Sequence, residues 1–149
     1  MSAKDKIPVF GKIEKGVTYH DRPGAYGFLP AADGRIAIIE TSYGFFLPGG
    51  GKEAGEDHEL ALKREIFEEI GWTVTAARLV GEAEQFHWSE FYQKYFRKIG
   101  RFYHVEATAE PDAKMQAEHK LLWWTVDQAA KKLSQEFQRW GVKAGYELG

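Results

Sequence analysis

The alternation of apolar and polar residues divides the 149-residue chain into β-prone runs, one acidic helical stretch and a closing helical stripe. The clearest strand is 35–41 (RIAIIET), a short β-branched run bounded by turn residues. Residues 17–29 are β-prone but broken by Pro23 and Gly24, which predicts a strand restarting near Ala25, since proline gives no donor to a ladder. A hairpin turn is expected at 31–34 (AADG). A second, around Ser42, Tyr43 and Gly44, leads into Phe45, Phe46 and Leu47, with Pro48 ending the strand and Gly49 to Gly51 forming a turn. Farther on, 73–79 and 81–88 read as one long strand with a bulge, 101–107 as another, and 121–124 as a last short one. The 101–107 strand would place Phe102, His104 and Glu106 on one face. Residues 1–16 fit an edge strand or an ordered tail, and 109–120 a polar loop.

Two stretches carry helical periodicity. Residues 56–70 contain neither Gly nor Pro, and Asp57 suits the N-cap. At about 100° per residue, Glu65, Glu68 and Glu69 share roughly a third of the helix circumference, with Ile66, Phe67 and Ile70 on the opposite arc for burial. Near the end, Thr125 and Gln128 make a capping box ahead of an apolar stripe of Val126, Ala130, Leu133, Phe137 and Trp140, expected to be core. Strands, a helix, more strands and a closing helix predict an α/β (α+β) fold in three layers, a mixed β-sheet between helices.

Composition narrows the function classes. Apolar residues at 44 % supply material for one core, and a single domain over 1–149 is expected. A net charge of −2 argues against a long nucleic acid as partner. With no cysteine there is no disulfide framework and no thiolate metal site. Neither an apolar signal core at the N-terminus nor an apolar run long enough to span a membrane occurs, so the expected location is the cytoplasm.

The acidic helix poses a charge problem. Like charges at helical spacing repel by a few tenths of a kcal/mol per pair even in water. Most such faces are simply solvated. A hard divalent cation resolves the repulsion better where substrate phosphate shares the site, because Mg²⁺ and Mn²⁺ favour carboxylate and phosphate oxygens. Here the carboxylates stand in a fixed frame: Gly50, five residues, Glu56, seven residues, Arg64 and Glu65, then Glu68, Glu69 and Gly71, with Ile66 and Trp72 in the apolar slots. That frame resembles the signature box of the Nudix hydrolases, G-x5-E-x7-R-E-U-x-E-E-x-G-U, where U is bulky and apolar, and it has no exceptions. The order of surrounding elements and the pattern EHKLLWWT at 118–125 are also similar to that family.

The resemblance implies an α/β/α sandwich and hydrolysis of a nucleoside diphosphate linked to another group, with Mg²⁺ or Mn²⁺ as cofactor. By position it implies Glu68 and Glu69 as principal metal ligands, joined by Glu65 and the carbonyl of Gly49. Glu65, or a carboxylate from a later loop, would take the proton from water. Arg64 and Glu56 would brace the helix against the Gly50 loop, with a phosphate contact by Arg64 the lesser reading. A further ligand is expected ahead of the last helix, Glu118 first and Glu110 second, whereas the five histidines show no metal spacing. The expected substrate is a small nucleotide, foremost a nucleoside triphosphate or an oxidised relative. A dinucleoside polyphosphate, a nucleotide sugar or ADP-ribose comes next, and a non-catalytic nucleotide-binding domain is the reading from another class. A homodimer is a further expectation. Residues 86–103 hold eight aromatics, read first as packing and second as a base-stacking surface, and the interleaved Lys94, Arg97, Lys98 and Arg101 read first as a solvated hairpin face and second as phosphate contacts. Arg35, Lys52, Phe91 and Tyr92 are the candidate substrate contacts.

Overall fold

The computed structural model describes residues 6–110 and 118–149. Strands β1 (Val9–Phe10), β2 (His20–Phe28), β3 (Ile36–Thr41), β4 (Gly44–Phe46) and β5 (Gly49–Gly51) precede helix α1 (His58–Ile70). The long strands β6 (Trp72–Ser89) and β7 (Lys94–Ala109) follow, then β8 (Lys120–Trp124), α2 (Val126–Lys132) and α3 (Glu136–Gly145). The strands form two sheets, ordered β1-β6-β7-β2-β5 and β4-β3-β8. Parallel pairing of β2 with β7 and β1 with β6, beside the antiparallel β6–β7 hairpin, makes the larger sheet mixed.

Alternation along the strands builds a core on each face. Tyr26, Phe28 and Phe102 pack with Phe137 and Val142 under α2 and α3. Ala25, Leu29, Tyr103 and Val105 pack with Leu62, Ile66 and Ile70 of α1. The three-layer α/β/α expectation therefore stands, with both faces of the sheets covered.

Several local expectations are corrected. Strand β2 runs straight through Pro23 and Gly24. The Pro23 carbonyl accepts from the Lys52 N–H at 2.8 Å, so its nitrogen faces that same side, at the end of β5, and the β2–β7 ladder loses no donor. Gly49 to Gly51 is a strand, not a turn, paired antiparallel with Gly24 to Tyr26. Strand β7 begins earlier than residue 101, and β6 carries its irregularities at Val74/Ala76 and Leu79/Gly81. The closing stripe is two helices rather than one. Ser134 interrupts it, its N–H donating to the Phe45 carbonyl at 3.0 Å and its Oγ accepting from the Phe45 N–H at 2.8 Å. Phe67, expected to be buried, is 51 % exposed, because α1 buries the arc of Ala61, Leu62, Ile66, Glu69 and Ile70. Residues 111–117 of the expected polar loop lie outside the described residues.

Candidate active site

Helix α1 starts where the sequence places it: the Asp57 side chain accepts from the Leu60 N–H, and Gly71 closes the helix in the left-handed region at φ 73°. Its acidic arc faces β5, and each glycine of that strand makes room for a different neighbour. At Gly49, with φ 138°, a Cβ would fall 2.2 Å from the Ala25 carbonyl oxygen. At Gly50 it would lie 2.6 Å from the Glu65 carboxyl carbon, and at Gly51 3.0 Å from the Arg22 guanidinium carbon. A bare backbone is what lets a carboxylate and a cation approach the strand from two sides.

The three carboxylates differ sharply in exposure. The side chains of Glu68, Glu65 and Glu69 are 47 %, 21 % and 10 % exposed. Glu69 accepts from the Gly49 N–H at 2.7 Å. Burial holds its carboxyl well above the usual value, and Glu65 and Glu68 add to the effect. Burial also raises Glu65, opposed by Arg64.

Arg64 ties this face together. It forks onto Glu56 at 2.6 and 3.0 Å, donates to Glu65 at 3.1 Å and Glu68 at 3.2 Å, and reaches the Gly51 carbonyl at 3.0 Å. Those five contacts match its five N–H donors. Glu56 in turn accepts from the Glu53 N–H at 2.7 Å, and Arg64 with this backbone bond lowers its pKa.

The remaining candidates scatter. Glu118 is exposed, next to His119, whose Nδ1 stands 4.0 Å from Glu69 Oε2 and is buried without a hydrogen-bond partner among the described residues. Glu110 accepts from the Thr73 hydroxyl at 2.6 Å, at the start of β6. Arg35 pairs with Asp33 at 2.8 Å in the β2–β3 turn. Neither Arg35 nor Lys52 lines the cavity beside β5. That cavity, of about 160 Å³, reaches from Gly49 and Glu69 across to Arg22, Tyr92, Lys98 and Gln138. A second, of about 280 Å³, adjoins it at Tyr92 and Lys98 and is walled by Tyr43, Phe46, Trp88 and Phe91. Phe91 meets Tyr43 edge to face at 5.8 Å.

Sequence reasoning missed Arg22, read Lys98 first as part of a solvated hairpin face and only second as a phosphate contact, and missed His119. The first two become neighbours only through the β2–β7 pairing, which aligns Arg22 with Lys98. His119 meets Glu69 across 50 positions of sequence. An EH pair just before the β8 run was the available signal.

No three His, Asp or Glu side chains converge into a ready metal cluster among the described residues. The donor chemistry nevertheless suits a hard cation. The donors on this arc are carboxylate oxygens, Glu69 is buried against the Gly49 N–H with Glu65 and Glu68 near enough to raise its pKa further, and among the described residues its one ion-pairing neighbour is His119 at 4.0 Å.

A sequence profile of the NUDIX domain matches residues 11–143. The chain belongs to the NUDIX family, as a Nudix hydrolase. Among solved structures it is similar in fold to a MutT protein from Methanosarcina mazei Go1, at 18 % identity and TM-score 0.69 over 89 % of this chain and 98 % of that one. A NUDIX hydrolase from Nitrosomonas europaea shares 16 % identity at TM-score 0.67, over 86 % and 90 % of the two chains. A MutT protein from Bacillus halodurans shares 24 % at TM-score 0.65, over 82 % and 80 %. No curated protein matches in sequence. No helix among the described residues is long and apolar enough to cross a membrane.

Proposed function

We propose that this protein hydrolyses a nucleoside diphosphate linked to another group, in the presence of Mg²⁺ or Mn²⁺. The favoured substrate is a nucleoside triphosphate or an oxidised relative, cleaved to a monophosphate and pyrophosphate. The observation that carries this reading is the acidic arc of α1 set against a side-chain-free strand at the rim of a cavity. Glu68, Glu69, Glu65 and the Gly49 carbonyl are the groups that would hold the metal, with Glu118 a further candidate. When bound, the ion offsets the charge of the diphosphate and acidifies water.

The protein's own residues supply the rest. Arg64 and Glu56 fix α1 against β5, so the carboxylates keep their spacing while substrate binds. Glu65, partly buried with a raised pKa, suits proton acceptance better than a fully solvated carboxylate does. Tyr92 and Phe91, with Tyr43 and Phe46, offer aromatic surface to a base. A cytoplasmic location and a homodimer belong to the same reading.

The test is a panel of nucleoside triphosphates, oxidised nucleotides, dinucleoside polyphosphates, nucleotide sugars and ADP-ribose, assayed with Mg²⁺ or Mn²⁺. The expected result is metal-dependent release of a nucleoside monophosphate, fastest for a triphosphate. Binding of nucleotides without turnover of any of them would favour the non-catalytic domain instead.

A further inference from the structure

Two of the six Lys and Arg side chains on the strands of the large sheet are matched by acids. Arg97 pairs with Glu84 and Asp21, and Arg101 with Glu82. Of the other four, Arg22 and Lys98 are the two that line the cavity beside β5. They are register partners in the parallel β2–β7 pair, so both side chains leave the same face of the sheet. Like charges directly opposite across a ladder destabilise it.

The groups that hold the two cations are neutral. Arg22 donates to the Tyr92 hydroxyl at 3.1 Å, and its guanidinium lies 4.6 Å from the Tyr92 ring centre and 5.4 Å from that of Phe96. Lys98 donates to Gln135 Oε1 at 3.3 Å and sits 5.8 Å from the Phe137 ring centre. Neither forms an ion pair with a described residue, although the Arg22 charge weakly lowers the Glu65 pKa. Burial, and secondarily Arg22, pushes the Lys98 ammonium down to about 8, which leaves it mostly charged at neutral pH. Two partly desolvated cations, oriented but not neutralised, carry a cost that a bound anion removes.

We propose that Arg22 and Lys98 form an anion seat on the β2–β7 face of the cavity, holding a phosphate or other anionic group of the substrate beyond the diphosphate addressed by α1. This rests on the nucleotide reading above and deepens it. A triphosphate chain fills both the acidic-helix side and the seat, whereas a diphosphate bonded to an uncharged sugar leaves the seat unmatched.

Inorganic triphosphate, titrated calorimetrically into the full chain without divalent metal, reads the seat alone, because the acidic helix then has nothing with which to attract an anion. Wild type should bind, and rising salt should weaken it. Lys98→Met and Arg22→Met should each bind at least about tenfold more weakly, and Lys98→Arg should retain binding. Matching melting temperatures check that the variants fold. Absence of binding by wild type, or equal affinity across all variants, overturns the seat. It is overturned equally if Lys98→Met weakens adenosine, an uncharged nucleoside, as much as triphosphate. Since the titration needs neither metal nor turnover, failure of the seat leaves hydrolysis standing, and a panel without turnover leaves the seat standing.

Discussion

Arg64 uses its whole donor set inside the protein, and this fixes what its replacement should do. A lysine keeps the charge but offers no planar fork, so it cannot meet Glu56 twice and still reach Glu65, Glu68 and the Gly51 carbonyl. Arg64→Lys should lower kcat by about 10- to 100-fold, the range seen when supporting partners of a metal site are lost, with a smaller change in KM. A steady-state comparison checks this; an unchanged kcat would mean that the bracing is dispensable. Glu118→Gln should shift the metal titration of activity to higher concentration while Glu110→Gln leaves it in place, since Glu110 is engaged by Thr73. Coincident titrations for wild type and Glu118→Gln would remove Glu118 from the ligand set. At this scale the acidic frame was legible in sequence because helix geometry converts spacing into position. The juxtaposition of Arg22 with Lys98 was not legible, because 75 intervening positions separate them and no local pattern announces which strands pair in parallel.

The elements show where local pattern stops being informative. The 125–140 stripe reads as one helix because Leu133 and Phe137 enter the same core on both sides of the break. What interrupts it is the reciprocal pair of hydrogen bonds between Ser134 and Phe45, a partner far away in sequence. The second helix then starts without a side-chain cap of its own. Buried Gln85 on β6 supplies one from a distance, accepting from the Phe137 N–H at 3.0 Å. Gln85→Ala should therefore destabilise the fold by about 1–3 kcal/mol, the cost of stranding a buried donor, as measured by urea unfolding. A loss near zero would show that the α3 start opens to water. Strand β5 escaped recognition for the opposite reason, since three glycines have no side-chain alternation to read.

For the whole molecule, the clustered carboxylates link stability to pH and metal. Glu65 and Glu69 have pKa values raised above the usual 4.5. For raised groups the stabilising contribution is full below that value and is lost as pH climbs through the higher folded-state value. Glu56, lowered by Arg64, acts oppositely and is lost on acidification. The metal-free chain should melt at progressively lower temperature as pH rises above the ordinary carboxylate range, and Mg²⁺ should stabilise it more at each step because it favours the charged forms. Thermal melts of wild type and Glu69→Gln across pH, with and without Mg²⁺, check this. The substitution should flatten both trends, and a metal effect independent of pH would contradict the linkage.

In the proposed reaction the acidic arc of α1 works through a divalent ion on a phosphoanhydride. The most direct measurement is the rate of nucleoside triphosphate hydrolysis against Mg²⁺ concentration for wild type, Glu68→Gln and Glu69→Gln, alongside nucleotide binding by each. Wild type should show saturable metal-dependent turnover, either variant should lose at least about 100-fold, and both should still bind nucleotide. Turnover that is indifferent to Mg²⁺, or that survives both substitutions, would contradict this role of the arc.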